Sequence, residues 1–233
     1  MGVVVLGRVR TKVPPGRLAA WALLIAAVGS INLAARLAGG RPESDVLYRY
    51  STAVSSLVLY GVILGVVLLI ARGLDRREVF ALQAPPSLKR AGGYVVGGFV
   101  AILVVNAVLS PFLHAGKEQG LVPDRWEPSH AGAFAANFAV VVLVAPLVEE
   151  LTFRGFGVSA LSGYVPVWAV VLLVGLAFGA WHGLIIAFPA LASLGAIFAF
   201  VRVKTRSVYP TMVMHAIFNA GALLIAVTVK VGS

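Results

Sequence analysis

Long apolar runs dominate this sequence and leave few folds open to it. Seven of them, near residues 18–35, 51–71, 92–112, 131–160, 167–188, from Pro189 to Arg202, and 210–229, are divided by short links of charge, glycine and proline. A run of about 20 apolar residues is the length at which an α-helix crosses the hydrocarbon of a bilayer. With 60% hydrophobic residues and a mean hydropathy of +0.95, the 233 residues are too apolar to close one small aqueous core. The fold expected is all-α, a polytopic membrane helix bundle of about seven transmembrane helices, or eight if one run is split.

Charge sets the orientation. The 19 Lys and Arg against 9 Asp and Glu give a net charge of +10, but the basic residues sit in links between apolar runs, not on one surface. Topogenesis explains that pattern better than nucleic-acid binding. The amino terminus and the links after the second and sixth runs hold about twelve basic residues, and the other side about six. An integral protein of the cell membrane with a cytoplasmic amino terminus is expected. The basic stretch before residue 18 has the look of a signal-peptide n-region, yet the apolar run is too long and more runs follow, so a retained first helix is read. The absence of cysteine excludes disulfides, thiolate catalysis and cysteine-held metals.

Smaller features punctuate the runs. Gly61 with Gly65, and Gly93 with Gly97, have the spacing that lets a neighbouring helix backbone approach. The link 72–91 contains five Lys or Arg and the turn Pro85-Pro86. The link from His114 to His130 is the longest polar stretch and is read as a solvated loop, with both histidines at the interface. Pro146 cannot donate to the carbonyl of Val142, which predicts a kink and a free acceptor one turn before two glutamates.

Those glutamates are the most conspicuous feature. Glu149, Glu150 and Arg154 lie within an otherwise apolar run, where an ionisable group costs at least a few kcal/mol unless it is paired or wet. Glu150 and Arg154 are i,i+4 in the acid-first order and can neutralise each other, whereas Glu149 has no basic residue three or four positions away. Phe178 with His182, and His215 with Asn219, are further i,i+4 pairs, each on one helix face. Counting residues from the helix ends puts Glu149 and His182 at similar depth, and His215 roughly 10 Å shallower.

These residues, in this order, resemble the three motifs of the CAAX-protease and bacteriocin-processing (CPBP, or Abi) intramembrane proteases. The likeness runs from about residue 131 to Asn219 and includes Phe153-Arg154-Gly155. It implies residues 1–130 as amino-terminal helices and loops, and 131–233 as a catalytic core, within one membrane domain. It further implies an endopeptidase acting on a membrane-associated peptide or protein, with membrane lipid around it and no nucleic acid. Glu149 would be the general base on water and His182 its partner in moving the proton. His215 and Asn219 would donate to the oxyanion, while Glu150, Arg154 and Phe178 support the site. Family members typically have eight spans, against seven here.

Two alternatives stay open at this stage. Glu149, His182 and His215 could hold zinc with an open position for water. Against this, no compact zinc spacing such as HExxH occurs and Asn219 is a poor zinc ligand, so a reaction without a cofactor is favoured. The other alternative is a non-catalytic scaffold, chaperone or immunity partner of another membrane protein, and a proton-coupled transporter is less favoured because no inverted repeat supports it.

Overall fold

A backbone surrounded by hydrocarbon must satisfy its own N–H and C=O groups, and each apolar run does so as a helix. The computed structural model describes residues 12–39, 43, 45–113, 118, 123 and 126–228, and its regular elements are all helical. Seven long helices follow in order: α1 (Pro15–Gly39), α2 (Tyr50–Ile70), α3 (Leu88–Leu113), α4 (Pro128–Leu161), α5 (Val167–Trp181), α6 (Phe188–Thr205) and α7 (Tyr209–Thr228). Six are long and apolar enough to cross a membrane, and α5, at 15 residues, is shorter. The expected all-α membrane bundle is the observed one.

The helices alternate in direction, and polar contacts mark the two ends. Arg17, at the start of α1, donates to the carbonyls of Leu69, Ile70 and Arg72 at the end of α2. Tyr164, in the link after α4, donates to Val13 O at 2.7 Å, with Lys12 over its ring. These ends therefore share one face. At the opposite face Asn137 donates to Leu47 O and Arg49 O, which ties α4 to the turn before α2.

Glu118 corrects part of the reading of link 114–130. Its carboxylate is buried and accepts from the N–H groups of Ile185 and Ala187, both at 2.8 Å, so it caps the approach to α6. Burial opposes its charge, but the amides of Ala187, Ile185 and Ile186 and the charge of Arg36 outweigh this and hold the carboxyl below its ordinary value. His114 lies outside the described residues. His130 is exposed and bonds to its neighbour Ser129.

The glycine expectation also needs correction. A Cβ on Gly61, Gly65, Gly93 or Gly97 would meet nothing within 4 Å, so these face away from the bundle. Close approach occurs instead between α5 and α6. A Cβ on Gly175 would lie 2.7 Å from Ala192 O, and one on Gly195 would lie 2.8 Å from the Cβ of Phe178. Spacing alone could not distinguish a packed face from a lipid face, since both are apolar here.

The fifth helix ends at Trp181, short of residue 188. Gly183 has φ +63, and a Cβ there would also run into the backbone of Asn32 and Leu33. Asn32 donates to Trp181 O at 2.7 Å. Helix α5 thus stops against α1, and His182 sits in the turn just past its end.

Candidate active site

The site is built on α4, whose regular winding is interrupted twice. Wide π turns occupy Val140–Val144 and Leu151–Gly157, and between them Ala145–Glu150 is ordinary α-helix. In the first wide turn the N–H of Ala145 reaches back five residues to Val140 O. Pro146 in the same register would face Val141 O, and that carbonyl accepts from Asn219 Nδ2 on α7 at 2.9 Å. The acceptor freed by Pro146 is therefore that of Val141, one residue from the expected Val142, because the turn is widened. Such π turns are frequent at functional sites.

In the second wide turn Thr152 O accepts from Trp21 Nε1 on α1 at 2.9 Å. The indole also lies against Gly157, where a Cβ would sit 2.7 Å from Trp21 Cζ2. Both glutamates and Arg154 are thus set by contacts from neighbouring helices as well as by their own.

Arg154 is fully buried, with its guanidinium carbon 4.4 Å from the ring centre of Phe178 and 5.0 Å from that of Phe198. Its Nη2 donates to Gly195 O at 3.2 Å. Its Nη1 lies 3.0 Å from Glu150 Oε1, an ion pair whose alignment falls short of a hydrogen bond. The i,i+4 pair read from the sequence is present.

Glu150 Oε1 takes a second partner, His215 Nδ1 at 3.0 Å. A carboxylate held by an arginine accepts, so Nδ1 carries the hydrogen. The other ring nitrogen, Nε2, lies 3.8 Å from Glu149 Oε2, beyond direct hydrogen-bond distance. His215 therefore stands between the two carboxylates. The depth difference expected from residue counting does not separate them; α4, at 34 residues, is longer than the roughly 20 residues a bilayer's hydrocarbon requires.

Glu149 Oε1 accepts from the hydroxyl of Tyr60 on α2 at 3.0 Å. Tyr60 was not singled out by sequence, since one tyrosine in an apolar run carries no signal. Its hydrogen bond fixes one oxygen of Glu149 and leaves Oε2 toward His215.

His182 and Asn219 stand at the edges of this cluster. His182 Nδ1 is 2.8 Å from Phe178 O, and a carbonyl only accepts, so Nδ1 is the donor and Nε2 of the neutral ring has a lone pair. Phe178 lies between the histidines, 4.8 Å from the His182 ring and 5.9 Å from that of His215. Among the described residues, His182 makes no hydrogen bond or ion pair with either glutamate. No group of three His, Asp or Glu close enough to hold a metal ion occurs among the described residues.

The all-α membrane bundle thus encloses paired carboxylates, an arginine and one histidine, with a second histidine at the edge of the cluster. Residues 131–221 match the family model described as type II CAAX prenyl endopeptidase Rce1-like, which bears out the resemblance carried by the three motifs. The matched segment spans every motif residue from Glu149 to Asn219. At the level of the family it supports a CAAX-protease type of function in an integral membrane protein. No curated protein and no solved structure matches the chain.

Proposed function

We propose that this protein is an intramembrane endopeptidase that hydrolyses a lipid-linked peptide near its membrane-anchored end, using water activated by Glu149 and no metal ion. The observation that carries this reading is the unequal duty of the two carboxylates. Glu150 is occupied by Arg154 and His215, whereas Glu149 Oε2 has no hydrogen-bond donor among the described residues. One acid balances charge, and the other is left to take a proton.

In this mechanism Glu149 Oε2 accepts a proton from water as the water oxygen bonds to the peptide carbonyl carbon, and the C=O electron pair moves onto oxygen. The oxyanion accepts from Nε2 of His215 once that nitrogen carries a proton, while Nδ1–H is held by Glu150 from the other side. The second amide hydrogen of Asn219, beyond the one given to Val141 O, is the other donor, and donors of this kind are worth about 3 kcal/mol each. Collapse breaks the C–N bond, and the proton passes from Glu149 to the leaving amine through Nε2 of His182.

A cavity of about 630 Å³ between α1 and α5 supports a lipid-linked substrate. Ile25, Leu33, Ala177 and Phe188 line it, and Gly183 and Leu184 bring it beside the His182 turn.

The test is cleavage of a prenylated CAAX-type peptide by the chain reconstituted in vesicles. The variant Glu149→Gln should lose roughly 10²–10⁴-fold in turnover with unchanged melting. Dialysis against a chelator should leave the wild type active. Normal turnover by Glu149→Gln would overturn the reading, and activity lost to chelator and restored by zinc would replace its metal-free part.

A further inference from the structure

A second polar site lies away from the glutamates, where α3 begins and α6 ends. A cavity of about 280 Å³ there is lined by Ser87, Arg90, Tyr94, Lys204 and Arg206 among others. The N-terminus of α3 adds its own positive field, since the first N–H groups of a helix have no carbonyl behind them. Ser87 Oγ accepts from Arg90 N, which leaves its hydroxyl hydrogen available.

Arg202 lies one turn before Arg206 on α6, outside the lining of this cavity. It is only 9% exposed, and its Nε has no hydrogen-bond partner among the described residues. No described carboxylate stands within ion-pair distance of Arg90, Arg202 or Lys204. A cation without an anion is costly where water is scarce, and Arg90 and Lys204, which do line the cavity, face no described carboxylate. The site lies on the face that bears Arg17 and the α2–α3 link, which the charge count makes the cytoplasmic one. Anionic phospholipid is concentrated there, and basic pockets between helices on that side take lipid headgroups.

We propose that this cavity is a binding site for the phosphodiester headgroup of an anionic phospholipid, with Arg90 and Lys204 supplying the positive charge and Ser87 a hydroxyl donor. The lipid's acyl chains then run down the lipid-facing side of α3, and the headgroup clamps the start of α3 to the end of α6. This inference does not depend on the proteolytic reading.

The full chain, purified in neutral detergent, tests it by thermal unfolding with added short-chain phosphatidylglycerol, short-chain phosphatidylcholine or inorganic phosphate. Phosphatidylglycerol should raise the midpoint by several degrees, and the other two should not. The double variant Arg90→Gln with Lys204→Gln, both at accessible positions, should lose that rise, while Arg76→Gln with Arg77→Gln on the same face should keep it. Equal stabilisation by phosphatidylcholine, an equal effect of inorganic phosphate, or equal loss in the Arg76 and Arg77 control would each overturn the proposal.

Discussion

Glu150 serves an arginine and a histidine with one oxygen, and that sharing decides what Arg154 is for. With neither end of the pair exposed, removing one partner strands the other in a medium that cannot solvate it. Arg154→Ala should therefore destabilise the protein by about 3–5 kcal/mol, read as a lower melting midpoint. Replacing both charges, as Glu150→Leu with Arg154→Met, should recover much of that stability without restoring turnover, because His215 loses its acceptor. Recovery of both would place the pair outside the chemistry. Tyr60 makes a different prediction. Tyr60→Phe removes only the hydroxyl on Glu149, so kcat should fall roughly tenfold or more with KM little changed, the scale of a hydrogen bond to a charged group. A change confined to KM would assign Tyr60 to substrate binding.

At the scale of elements, the site depends on helices brought close enough for short side chains to meet. The α5–α6 contact is one such place, because a methyl on Gly175 would strike the backbone of Ala192 and Ala196. Gly175→Ala should cost about 1–3 kcal/mol and shift Phe178, with activity and melting falling together. Activity retained at a lowered midpoint would separate packing from catalysis. The charged cluster was legible in sequence because charge in an apolar run has few innocent explanations, and the i,i+4 order of Glu150 and Arg154 named the pair. What was not legible is what arrives from other helices. Trp21 and Tyr60 look like ordinary membrane aromatics, and the widening of α4 leaves no mark beyond Pro146. Asn219 was read as a donor at its i,i+4 position, but its carbonyl partner depended on that widening. Glu118 was invisible for a related reason, since an acid in a polar link gives no hint that it folds back onto α6.

At the scale of the molecule, the bundle joins an interior built for charge to a surface built for lipid. Arg154 packs among Phe153, Phe178 and Phe198 at its centre, while Leu103, Leu143 and Val213 face outward. Basic residues mark one end, and the amino-terminal helices contribute to the site through Trp21 and Tyr60. Its helices are also unequal. Helix α4 rises roughly 50 Å and α5 only about 22 Å, against hydrocarbon about 30 Å thick. Hydrophobic mismatch of opposite sign is thus built into neighbouring helices, and no bilayer of uniform thickness suits both. A bilayer in contact with α5 is expected to thin there, where His182 ends the helix, which would bring water and headgroups toward the site. Turnover in vesicles of one headgroup should therefore rise as acyl chains shorten, and a flat profile would show that α5 is shielded from lipid. The short helix would make the protein a local deformer of its own solvent, opening the membrane where the proposed reaction needs a peptide bond to meet water.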